Sequence, residues 1–494
     1  MNRRAKIVCT LGPATDTAPL LAQLIDAGMD VARLNFSHGT RSDHQALYDM
    51  VRQVAAERGR AVGVLADLQG PKIRLGRFAA GPVVWAAGEQ IAITTDDCPG
   101  DHDRVSTTYR HLAGDVRPGD RLLVDDGRVE LRVLDVSGSD IRCRVVHGGP
   151  VSDHKGISLP GSSVGVPSLS DKDVEDLRFA LRAGVDMVAM SFVRAPHEVK
   201  LARAVMDEVG RRVPVIAKLE KPEAVADLPE IVEAFDGLMV ARGDLGVEMP
   251  MEQIPNVQKR AVRLCRDAAK PVIVATQMLD SMVSDRRPTR AEVSDVANAV
   301  LDGTDAVMLS AETSVGAHPA HTVATMARIV EEAESAETQT VTADGPGWGA
   351  EAPGQAASGA ISSAISGAGD DGASAGDAIA AAACAVGRSL GAVALCCLTR
   401  TGDTARRLAR RRSPLPLYAF THDESVRAQL SLSWGVASAV LTPATTAETM
   451  PAEVSRLLLS IGACRPGDVV VVASGSVSGV PGSTDSLRVL RVEG

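Results

Sequence analysis

Short apolar segments recur along the first two thirds of the chain, and amphipathic segments of helical length separate them. The apolar segments read KIVCTLG, DVARLNFS and AVGVLADL, then, after a long interruption, VDMVAMSF, VPVIAKLE, FDGLMVAR, PVIVATQM and DAVMLS. Near-continuous apolar strands that alternate with helices indicate a parallel sheet covered on both faces. Eight such units predict a (β/α)₈ barrel of the TIM type. A doubly wound open sheet is the structural alternative.

The interruption after the third strand has a different pattern. Residues 71–167 alternate apolar and polar positions over short stretches such as QIAITT and DIRCRVVHG, and they contain Pro-Gly and Asp-Gly turn pairs. This pattern predicts a small β-barrel inserted between the third strand and its helix. An insertion at that point would sit at the mouth of the large barrel, where it could act as a lid.

The segment after the barrel is rich in Ala, Gly, Ser and Asp. Residues 340–377 contain almost no large apolar side chains, so they cannot bury enough surface to offset the entropy of ordering. We expect a flexible linker there, followed by an α/β regulatory domain of about five strands. The predicted organisation is a barrel in two parts (1–70 and 168–339), an inserted lid domain (71–167), a linker (340–377) and a C-terminal α/β domain (378–494).

Composition and charge narrow the class of protein. The net charge is -10 and the pI is about 5.6, which argues against nucleic-acid binding, because nucleic-acid-binding domains are usually basic. The sequence shows no signal-peptide pattern and no apolar run of about 18 residues, so we expect no membrane association. The 8 cysteines are scattered without a CxxC pair, which is typical of a reducing cytoplasm.

Polar residues end most of the predicted barrel strands, where the functional groups of this fold cluster. Strand side chains alternate between two faces, so residues two apart at a strand end point into the same mouth. The strand-end residues are Arg33, Asn35 and Ser37, then Asp67, Lys218 and Glu220, then Arg242, Gly243 and Asp244, and finally Thr276, Ser310 and Glu312.

Two of these carboxylates indicate a metal. Glu220 and Asp244 end successive strands, and hard oxygen ligands without His or Cys suit Mg²⁺ or Mn²⁺. Lys218 and Arg33 are the matching cations for a phosphoryl group, and backbone amides near Gly243 could hold a carboxylate. The site therefore predicts a divalent metal with an anion rich in phosphate and carboxylate. A simple ion pair between Glu220 and Lys218 is the alternative interpretation.

Ten segments, in order along nearly the whole chain, resemble pyruvate kinase. They include KIVCTLGPAT, VARLNFSHG, DLQGPKIR, IAKLEKPE, MVARGDLGVEMP, ATQMLDSM and MLSAET. The resemblance implies phosphoryl transfer from phosphoenolpyruvate to ADP, giving pyruvate and ATP in glycolysis. It also implies a homotetramer. Other interpretations are a magnesium-dependent lyase that acts on pyruvate or its enolate, and a non-catalytic metabolite sensor.

The resemblance also implies roles for individual residues. Arg33 would hold the phosphoryl group, Lys218 would neutralise it during transfer, and Glu220 with Asp244 would bind the metal. The substrate carboxylate would meet the backbone of Gly243 and Asp244 and the hydroxyl of Thr276, which also lies near the protonated carbon. The remaining implied positions are Ser310 and Glu312 on the proton path, Arg74 as phosphoryl support, and Thr10, Pro13, His38 and Lys172 near the nucleotide.

The segment DLQGPK departs from the family pattern. The positions that coordinate K⁺ in potassium-dependent members are Asn35, Ser37, Asp67 and the backbone of Leu68. Here Leu68 stands where Thr is usual, Gln69 where Lys is usual and Lys72 where Glu is usual. A lysine brings a tethered ammonium to a place where a glutamate would call for a monovalent cation. We therefore predict activity without K⁺; the alternative is that Lys72 points to solvent.

A loop near the C-terminus raises the question of regulation. The run LTRTGDTARRLARRR resembles the family's effector loop, with Thr399, Thr401, Gly402 and Thr404 as the candidate contacts. Asp403 would repel a phosphate dianion, so fructose 1,6-bisphosphate is disfavoured, whereas AMP or a sugar monophosphate remains a candidate effector. The alternative is that the arginines after the loop form a solvated helix face.

Overall fold

The computed structural model of the chain describes residues 3–161, 165–343, 374–442, 448–475 and 484–494, so most of the predicted 340–377 linker lies outside the described residues. The strands are β1 Lys6–Thr10, β2 Val31–Asn35, β3 Gly63–Asp67, β4 Val83–Trp85, β5 Gln90–Thr94, β6 Arg104–Ser106, β7 Arg121–Val124, β8 Val129–Ser137, β9 Asp140–His147, β10 Gly149–Val151, β11 Ile157–Ser158, β12 Met187–Met190, β13 Val215–Leu219, β14 Gly237–Ala241, β15 Val272–Ala275, β16 Ala306–Leu309, β17 Ala394–Leu398, β18 Leu417–Thr421, β19 Val436–Val440, β20 Val469–Gly475 and β21 Thr484–Arg491.

Helices follow the barrel strands and flank the C-terminal sheet. They are α1 Ala18–Ala27, α2 Arg41–Glu57, α3 Leu112–Asp115, α4 Asp171–Ala183, α5 Val199–Val209, α6 Pro222–Ala226, α7 Leu228–Ala234, α8 Arg242–Glu248, α9 Ile254–Asp267, α10 Arg290–Leu301, α11 Ala311–Ser314, α12 Pro319–Ala343, α13 Ala375–Ser389, α14 Asp403–Ala409, α15 Glu424–Gln429 and α16 Met450–Ser460. Three of the longer helices begin with a capping box, at Thr40, Ser170 and Thr289, which satisfies the first free amides.

Eight parallel strands close into a barrel in the order β1–β16–β15–β14–β13–β12–β3–β2. These are the eight apolar segments predicted from the sequence, and the closed ring excludes the open-sheet alternative. Strand β3 pairs directly with β12, with Leu65 beside Met187, although the inserted domain separates them in the chain. Apolar side chains fill the ring interior, and Leu432 from the C-terminal part of the chain belongs to the same buried cluster.

The insertion forms a six-stranded sheet, β11–β7–β8–β9–β5–β6, and a two-stranded sheet, β10–β4. The two sheets share one apolar core that contains Trp85, Ile93, Leu131 and Val151. The chain enters this part after β3 and returns to the barrel before α4, which is the predicted point of insertion.

The C-terminal part is a five-stranded sheet in the order β19–β18–β17–β20–β21, in which β21 is antiparallel to β20. This agrees with the predicted α/β pattern of about five strands. Helices α13 and α14 pack near this sheet, and Cys384 and Cys397 lie in its apolar core. The structure therefore has one TIM-type barrel, one inserted β domain and one α/β domain.

Candidate active site

The carboxyl ends of several barrel strands and the start of the inserted domain surround one cavity of about 690 Å³. Its lining is strongly polar, as the strand-end pattern predicts. The lining residues are Arg33, Asn35, Ser37, His38, Gln69, Lys72, Arg74, Ser191, Phe192, Lys218, Glu220 and Asp244. We call this space the mouth cavity.

A network of four charges lies at the floor of the mouth cavity. Arg33 Nε contacts Asp67 Oδ2 at 2.7 Å, and Lys218 Nζ lies 3.3 Å from Asp67 Oδ1 and 2.7 Å from Glu220 Oε1. All four residues are buried. Two cations and two carboxylates balance one another, and such a balance is what allows charged groups to stay in a buried place. Glu220 and Lys218 therefore do form an ion pair, as the alternative interpretation had it, but the pair is one part of a larger network.

The charges of this network shift the pKa values of Lys218 and Asp67 in opposite directions. Burial alone would lower the pKa of Lys218, but Asp67, Glu220 and Asp244 outweigh it, and the pKa is raised. Burial would raise the pKa of Asp67, but Lys218 and Arg33 hold it below its ordinary value. Lys218 is consequently a permanent cation and Asp67 a permanent anion at neutral pH.

Glu220 and Asp244 face the same space. Both line the mouth cavity and also a neighbouring cavity of about 710 Å³ between the barrel and the inserted domain. Burial raises the pKa of the Glu220 carboxyl, Lys218 opposes that shift, and Asp244 adds to it. Among the described residues no group of three His, Cys, Asp or Glu side chains forms a cluster suited to a metal. Two carboxylate donors with open positions fit Mg²⁺ or Mn²⁺ that is completed by oxygens of water and substrate.

In the predicted monovalent-cation region, two protein cations pair with Asp67. Asp67, which is 1% exposed, has its two oxygens against Arg33 and Lys218. The Ser37 amide donates to Asn35 Oδ1 at 3.2 Å, and the Leu68 carbonyl accepts from the Ser191 hydroxyl at 2.8 Å.

Lys72 is half-buried and lines both cavities. It therefore does not merely point to solvent, which was the alternative interpretation. Its Cε lies 3.1 Å from where a Cβ on Gly156 would stand, so the inserted domain passes close to it.

Thr276 and Gly243 meet where β15 and β14 end. The Gly243 amide donates to Thr276 Oγ1 at 2.7 Å, and Thr276 Oγ1 donates to the Ala275 carbonyl at 2.6 Å. Thr276 has φ +67°, which is a strained value for a β-branched residue. Arg242 holds this turn, because Nη2 donates to the Thr276 carbonyl at 2.8 Å and Nη1 pairs with Asp295 at 2.7 Å.

The four positions predicted near the nucleotide differ in their surroundings. Thr10 is buried and accepts from Arg33 Nη1 at 2.8 Å, so in this structure it supports Arg33. Pro13 and His38 are exposed, and His38 lines the mouth cavity. Lys172 Nζ bridges the Phe36 carbonyl, at 2.9 Å, and Asp176, at 2.6 Å. Burial, followed by Arg74, Lys72 and Arg33, lowers the pKa of His38.

The residues predicted for the proton path follow β16. Glu312 is buried and accepts from the Ser310 amide at 2.6 Å and the Leu279 amide at 3.2 Å. Burial raises the pKa of the Glu312 carboxyl, and these amides oppose the shift. Among the described residues, Ser310 and Glu312 lie outside the lining of the mouth cavity, and Glu312 contacts the chain at Leu279, after the turn that contains Thr276.

Three residues near the site were not among the sequence-based candidates. The Ser191 hydroxyl accepts from Lys218 Nζ at 2.7 Å, and the Phe192 amide donates to Glu220 Oε2 at 2.8 Å. His44 stacks on Phe36 with ring centroids 4.2 Å apart and contacts the His38 carbonyl through Nε2 at 2.9 Å. Ser191 and Phe192 follow the fourth barrel strand, so the strand-end pattern itself was the signal that could have found them.

The predicted effector loop is held by internal bonds. The Gly402 amide, at φ +83°, donates to Thr399 Oγ1 at 2.9 Å, and Thr404 Oγ1 lies 2.6 Å from Thr484 Oγ1. Thr401 is exposed. Asp403 pairs with Arg407 in the same helix, at 2.7 Å.

Three of the arginines after the loop are paired with carboxylates instead of forming a solvated face. Arg407 and Arg410 both pair with Asp377, at 2.8 and 2.6 Å, and Arg412 approaches Asp305 of the barrel at 3.4 Å. These contacts join α14 to α13 and to the barrel. The alternative of a solvated helix face is therefore wrong for these three residues.

Comparison with known proteins gives a consistent result. A family model for the barrel domain of pyruvate kinase matches residues 2–323, and a model for its alpha/beta domain matches residues 377–490. A pyruvate kinase of Mycobacterium intracellulare is 55% identical over 492 residues, covering 100% of this chain and 99% of that relative. A pyruvate kinase of Corynebacterium glutamicum is 55% identical over 489 residues, covering 99% of this chain and 98% of the relative.

A solved structure gives the same answer. The crystal structure of a pyruvate kinase from Cryptosporidium parvum is similar with a TM-score of 0.88 at 34% identity, covering 99% of this chain and 96% of that one. In the described part of the chain, the helices are too short or too polar to cross a membrane. On fold, site and full-length identity together, the chain belongs to the pyruvate kinase family and is a phosphotransferase.

Proposed function

We propose that the protein transfers the phosphoryl group of phosphoenolpyruvate to ADP, giving pyruvate and ATP, with Mg²⁺ or Mn²⁺ and without a requirement for K⁺. Family membership supports the reaction. The observation that carries the proposal is that Arg33, Lys218, Glu220 and Asp244, from three separate strand ends, line one cavity. Phosphoryl transfer needs this combination, because its transition state spreads negative charge over several oxygens.

Arg33 and Lys218 would act on the phosphoryl group itself. Arg33 is fixed by Asp67 and Thr10, so its guanidinium is already oriented before substrate binds. Lys218 would supply positive charge to the phosphoryl oxygens during transfer, with its position set by Ser191. Arg74, at the start of the inserted domain, would support the same group from above.

Glu220 and Asp244 would hold the divalent metal, which supplies charge neutralisation to the phosphoryl and carboxylate oxygens. The carboxylate of phosphoenolpyruvate would meet the Gly243 and Asp244 backbone and the Thr276 hydroxyl. The Gly243 amide now donates to that hydroxyl. A bound carboxylate would accept from the amide in place of the hydroxyl.

The enolate must gain a proton after the phosphoryl group leaves. We propose that the proton reaches the enolate carbon from water beside Thr276, at the end of β15, along a path that Ser310 and Glu312 line. Nucleotide binding is assigned to Thr10, Pro13, His38 and Lys172, with Thr10 acting through Arg33. The inserted domain would cover the site and keep water from the phosphoryl group.

K⁺ independence rests on charge. Asp67 already has two protein cations within 3.3 Å, and Lys72 lines the same cavity. A monovalent cation at Asn35, Ser37, Asp67 and Leu68 would therefore meet positive charge where a potassium-dependent site needs an unbalanced negative one.

The test is ATP formation from phosphoenolpyruvate and ADP in potassium-free buffer, with tetramethylammonium as the counterion. We expect full turnover, changed by no more than about twofold on adding K⁺. The triple variant Lys72→Glu, Leu68→Thr, Gln69→Lys should acquire a K⁺ requirement. Strong activation of the wild-type protein by K⁺ would contradict K⁺ independence, and absence of ATP formation would point to the lyase or the sensor.

The compartment, the oligomeric state and the regulation of the protein are also proposed. We propose a cytoplasmic homotetramer that is regulated by a phosphate monoester such as AMP or a sugar monophosphate. Size measurement of the purified protein in solution tests the tetramer, and the ATP-forming assay with added effectors tests the regulation.

A further inference from the structure

The chain makes a strained turn directly after β15, at the proposed contact for the substrate carboxylate. Thr276 and Gln277 follow the strand with φ +67° and φ +55°. Positive φ is unfavourable for any residue that has a β carbon, and for a β-branched residue such as Thr276 it is a true outlier. Two such residues in succession persist only where surrounding contacts hold the backbone. The contacts that hold this turn therefore set the position of the Thr276 hydroxyl.

The side chain of Arg242 contacts both carbonyls at the start of the turn. Arg242 follows β14, the neighbouring strand; its Nε donates to the Ala275 carbonyl at 3.3 Å and its Nη2 donates to the Thr276 carbonyl at 2.8 Å. The next residue, Gly243, donates its amide to Thr276 Oγ1 at 2.7 Å. Two consecutive residues at one strand end therefore hold the backbone and the hydroxyl of Thr276.

The guanidinium of Arg242 is itself held by an acid from α10. Arg242 Nη1 lies 2.7 Å from Asp295 Oδ1, and the arginine side chain is 13% exposed, so the pair offsets part of the cost of burying the cation. Arginine suits this place because its planar fork donates in several directions at once, whereas lysine has a single nitrogen. Asp295 therefore fixes the guanidinium, and the guanidinium fixes the turn.

A different strand end holds the far side of the turn. The Leu279 amide donates to Glu312 Oε1 at 3.2 Å, and Glu312 follows β16. The side chains of Met278 and Leu279 are fully buried. Packing and Glu312 thus fasten the turn downstream, and Arg242 fastens it upstream, at Thr276 itself.

We propose that Arg242 is a positioning residue for phosphoryl transfer and that Asp295 positions Arg242. The proposal rests on the proposed carboxylate contact at Gly243, Asp244 and Thr276. Arg242 acts through the turn: it keeps the Thr276 hydroxyl beside the Gly243 amide, so that both groups are in place before the substrate arrives. The other explanation of the same contacts is an ion pair that only fastens α10 to the end of β14. Such a pair would affect stability without an effect that is specific to one substrate.

The experiment compares the steady-state kinetics of ATP formation for Arg242→Gln, Arg242→Lys and Asp295→Asn with those of the wild type. The values of KM for phosphoenolpyruvate and for ADP are measured separately. Product inhibition by pyruvate is measured as well, because pyruvate carries the carboxylate without the phosphoryl group. Urea unfolding of every variant identifies losses that come from the fold.

The matched control is Arg52→Gln. Arg52 resembles Arg242 in its bonds, because it donates to the carbonyls of Val62 and Gly184 and pairs with Asp186 at 2.7 Å. These partners precede β3 and β12, at the end of the barrel away from the mouth. The control should lose stability, but its kinetic constants should stay within about twofold of the wild type, since distant sites act independently.

For Arg242→Gln we expect kcat/KM for phosphoenolpyruvate to fall by about 10²-fold, the loss that a misplacement of about 1 Å can cause. Inhibition by pyruvate should weaken in parallel. The KM for ADP should change by no more than about twofold, because the nucleotide is assigned to other strand ends. Arg242→Lys should recover part of the loss, since an ammonium can still donate to one carbonyl. Asp295→Asn should show a smaller loss in the same direction, and adding it to Arg242→Gln should have no further effect.

Three results would overturn the proposal: an unchanged kcat/KM for phosphoenolpyruvate in Arg242→Gln, an equal loss in Arg52→Gln, or a parallel rise in KM for both substrates. Arg242→Lys and Asp295→Asn give the same test if Arg242→Gln does not fold. Thr276→Ala separates two kinds of failure. If Thr276→Ala weakens the use of phosphoenolpyruvate and Arg242→Gln does not, the carboxylate contact stands and the positioning role is wrong. If neither does, the carboxylate contact itself is wrong, whereas ATP formation by the wild type tests the reaction separately.

Discussion

At the scale of single residues, Lys218 is the side chain on which the proposed chemistry depends most directly. It is buried, it touches Glu220 and Ser191 at 2.7 Å, and it lies 3.3 Å from Asp67. Its ammonium thus connects Glu220, the carboxylate proposed to bind the metal, to Asp67, which anchors Arg33. Removing it would both withdraw positive charge from the mouth cavity and leave two buried carboxylates with one cation fewer.

For Lys218→Met we expect kcat to fall by about 10²–10³-fold, the scale seen when one preorganised charge-stabilising group is lost. Steady-state kinetics of ATP formation measures this. The matched control is Lys6→Met, which removes another buried lysine, whose Nζ donates to the Val436 carbonyl at 2.9 Å. The control should lose stability but keep kcat within about threefold, since Lys6 lines neither of the two cavities at the site. Equal kcat for Lys218→Met and wild type would refute the role given to Lys218.

The sequence predicted which residues gather at the mouth, because strand ends of a parallel barrel necessarily meet at one edge. It could not predict that Thr10 bonds to Arg33. That contact depends on the register of β1 against β2, which places Thr10 beside Arg33, and register is set by packing around the whole ring. The strand-end pattern could have named Ser191, but its bond to Lys218 depends on the register of β12 against β13.

At the scale of elements, the start of α10 shows how a helix is tied to a site loop. The Glu292 carboxylate accepts from the Thr289 amide at 2.7 Å, and from the Ser281 amide and hydroxyl at 2.7 and 2.6 Å. One side chain therefore completes the capping box of α10 and fixes the segment that follows the Thr276 turn. Burial would raise the pKa of Glu292, but the bonds from Ser281 and Thr289 outweigh it and lower the pKa.

A depressed pKa in the folded state means that the ionised Glu292 adds stability above its unfolded pKa of about 4.3 and loses that contribution as the pH falls through the folded pKa. We expect Glu292→Gln to lower stability by about 1 kcal/mol at pH 7. The difference from the wild type should shrink in acid. Urea unfolding at pH 7 and below pH 4 gives both values, and a difference that stayed constant with pH would contradict the assignment.

The strands and longer helices were largely predictable from the sequence. Each of the eight barrel strands is a short, nearly continuous apolar run, which does not fit the spacing of apolar residues in an amphipathic helix. Short helices such as α8 were not predicted. The run RGDLGVE contains two glycines, which disfavour a helix, yet the structure makes it a helix of seven residues whose Asp244 lines the mouth cavity. Tertiary contacts override weak local propensity in such short segments.

At the scale of the whole molecule, the C-terminal domain closes the lower end of the barrel. Leu432 is 1% exposed and belongs to the cluster that fills the ring interior, with Leu65, Met187 and Ile273. Nearby, the Gly63 amide donates to Ser431 Oγ at 3.0 Å, and Lys6 Nζ donates to the Val436 carbonyl at 2.9 Å. The two domains therefore share an apolar plug surrounded by polar contacts.

We expect Leu432→Ala to destabilise the protein by about 2–5 kcal/mol, the range for emptying a buried leucine site. Because the cavity would open inside the barrel, thermal unfolding of the barrel and of the C-terminal domain should both shift downward. Calorimetry measures the shift, and Leu390→Ala, at a leucine that is 51% exposed in the C-terminal domain, serves as the control. A variant that melts like the wild type would show that the plug carries no stability.

The pairing of β3 with β12 has a consequence for how the chain is made. The chain leaves the barrel after Asp67 and re-enters it at Met187. The barrel closes only when β1 pairs with β16, which places Lys6 beside Ala306. A growing polypeptide therefore holds three strands with open edges while the ribosome completes an entire separate domain. Seams between such distant segments are slow to form. The incomplete barrel therefore exposes unpaired strand edges, and it is prone to aggregate until β16 has been synthesised.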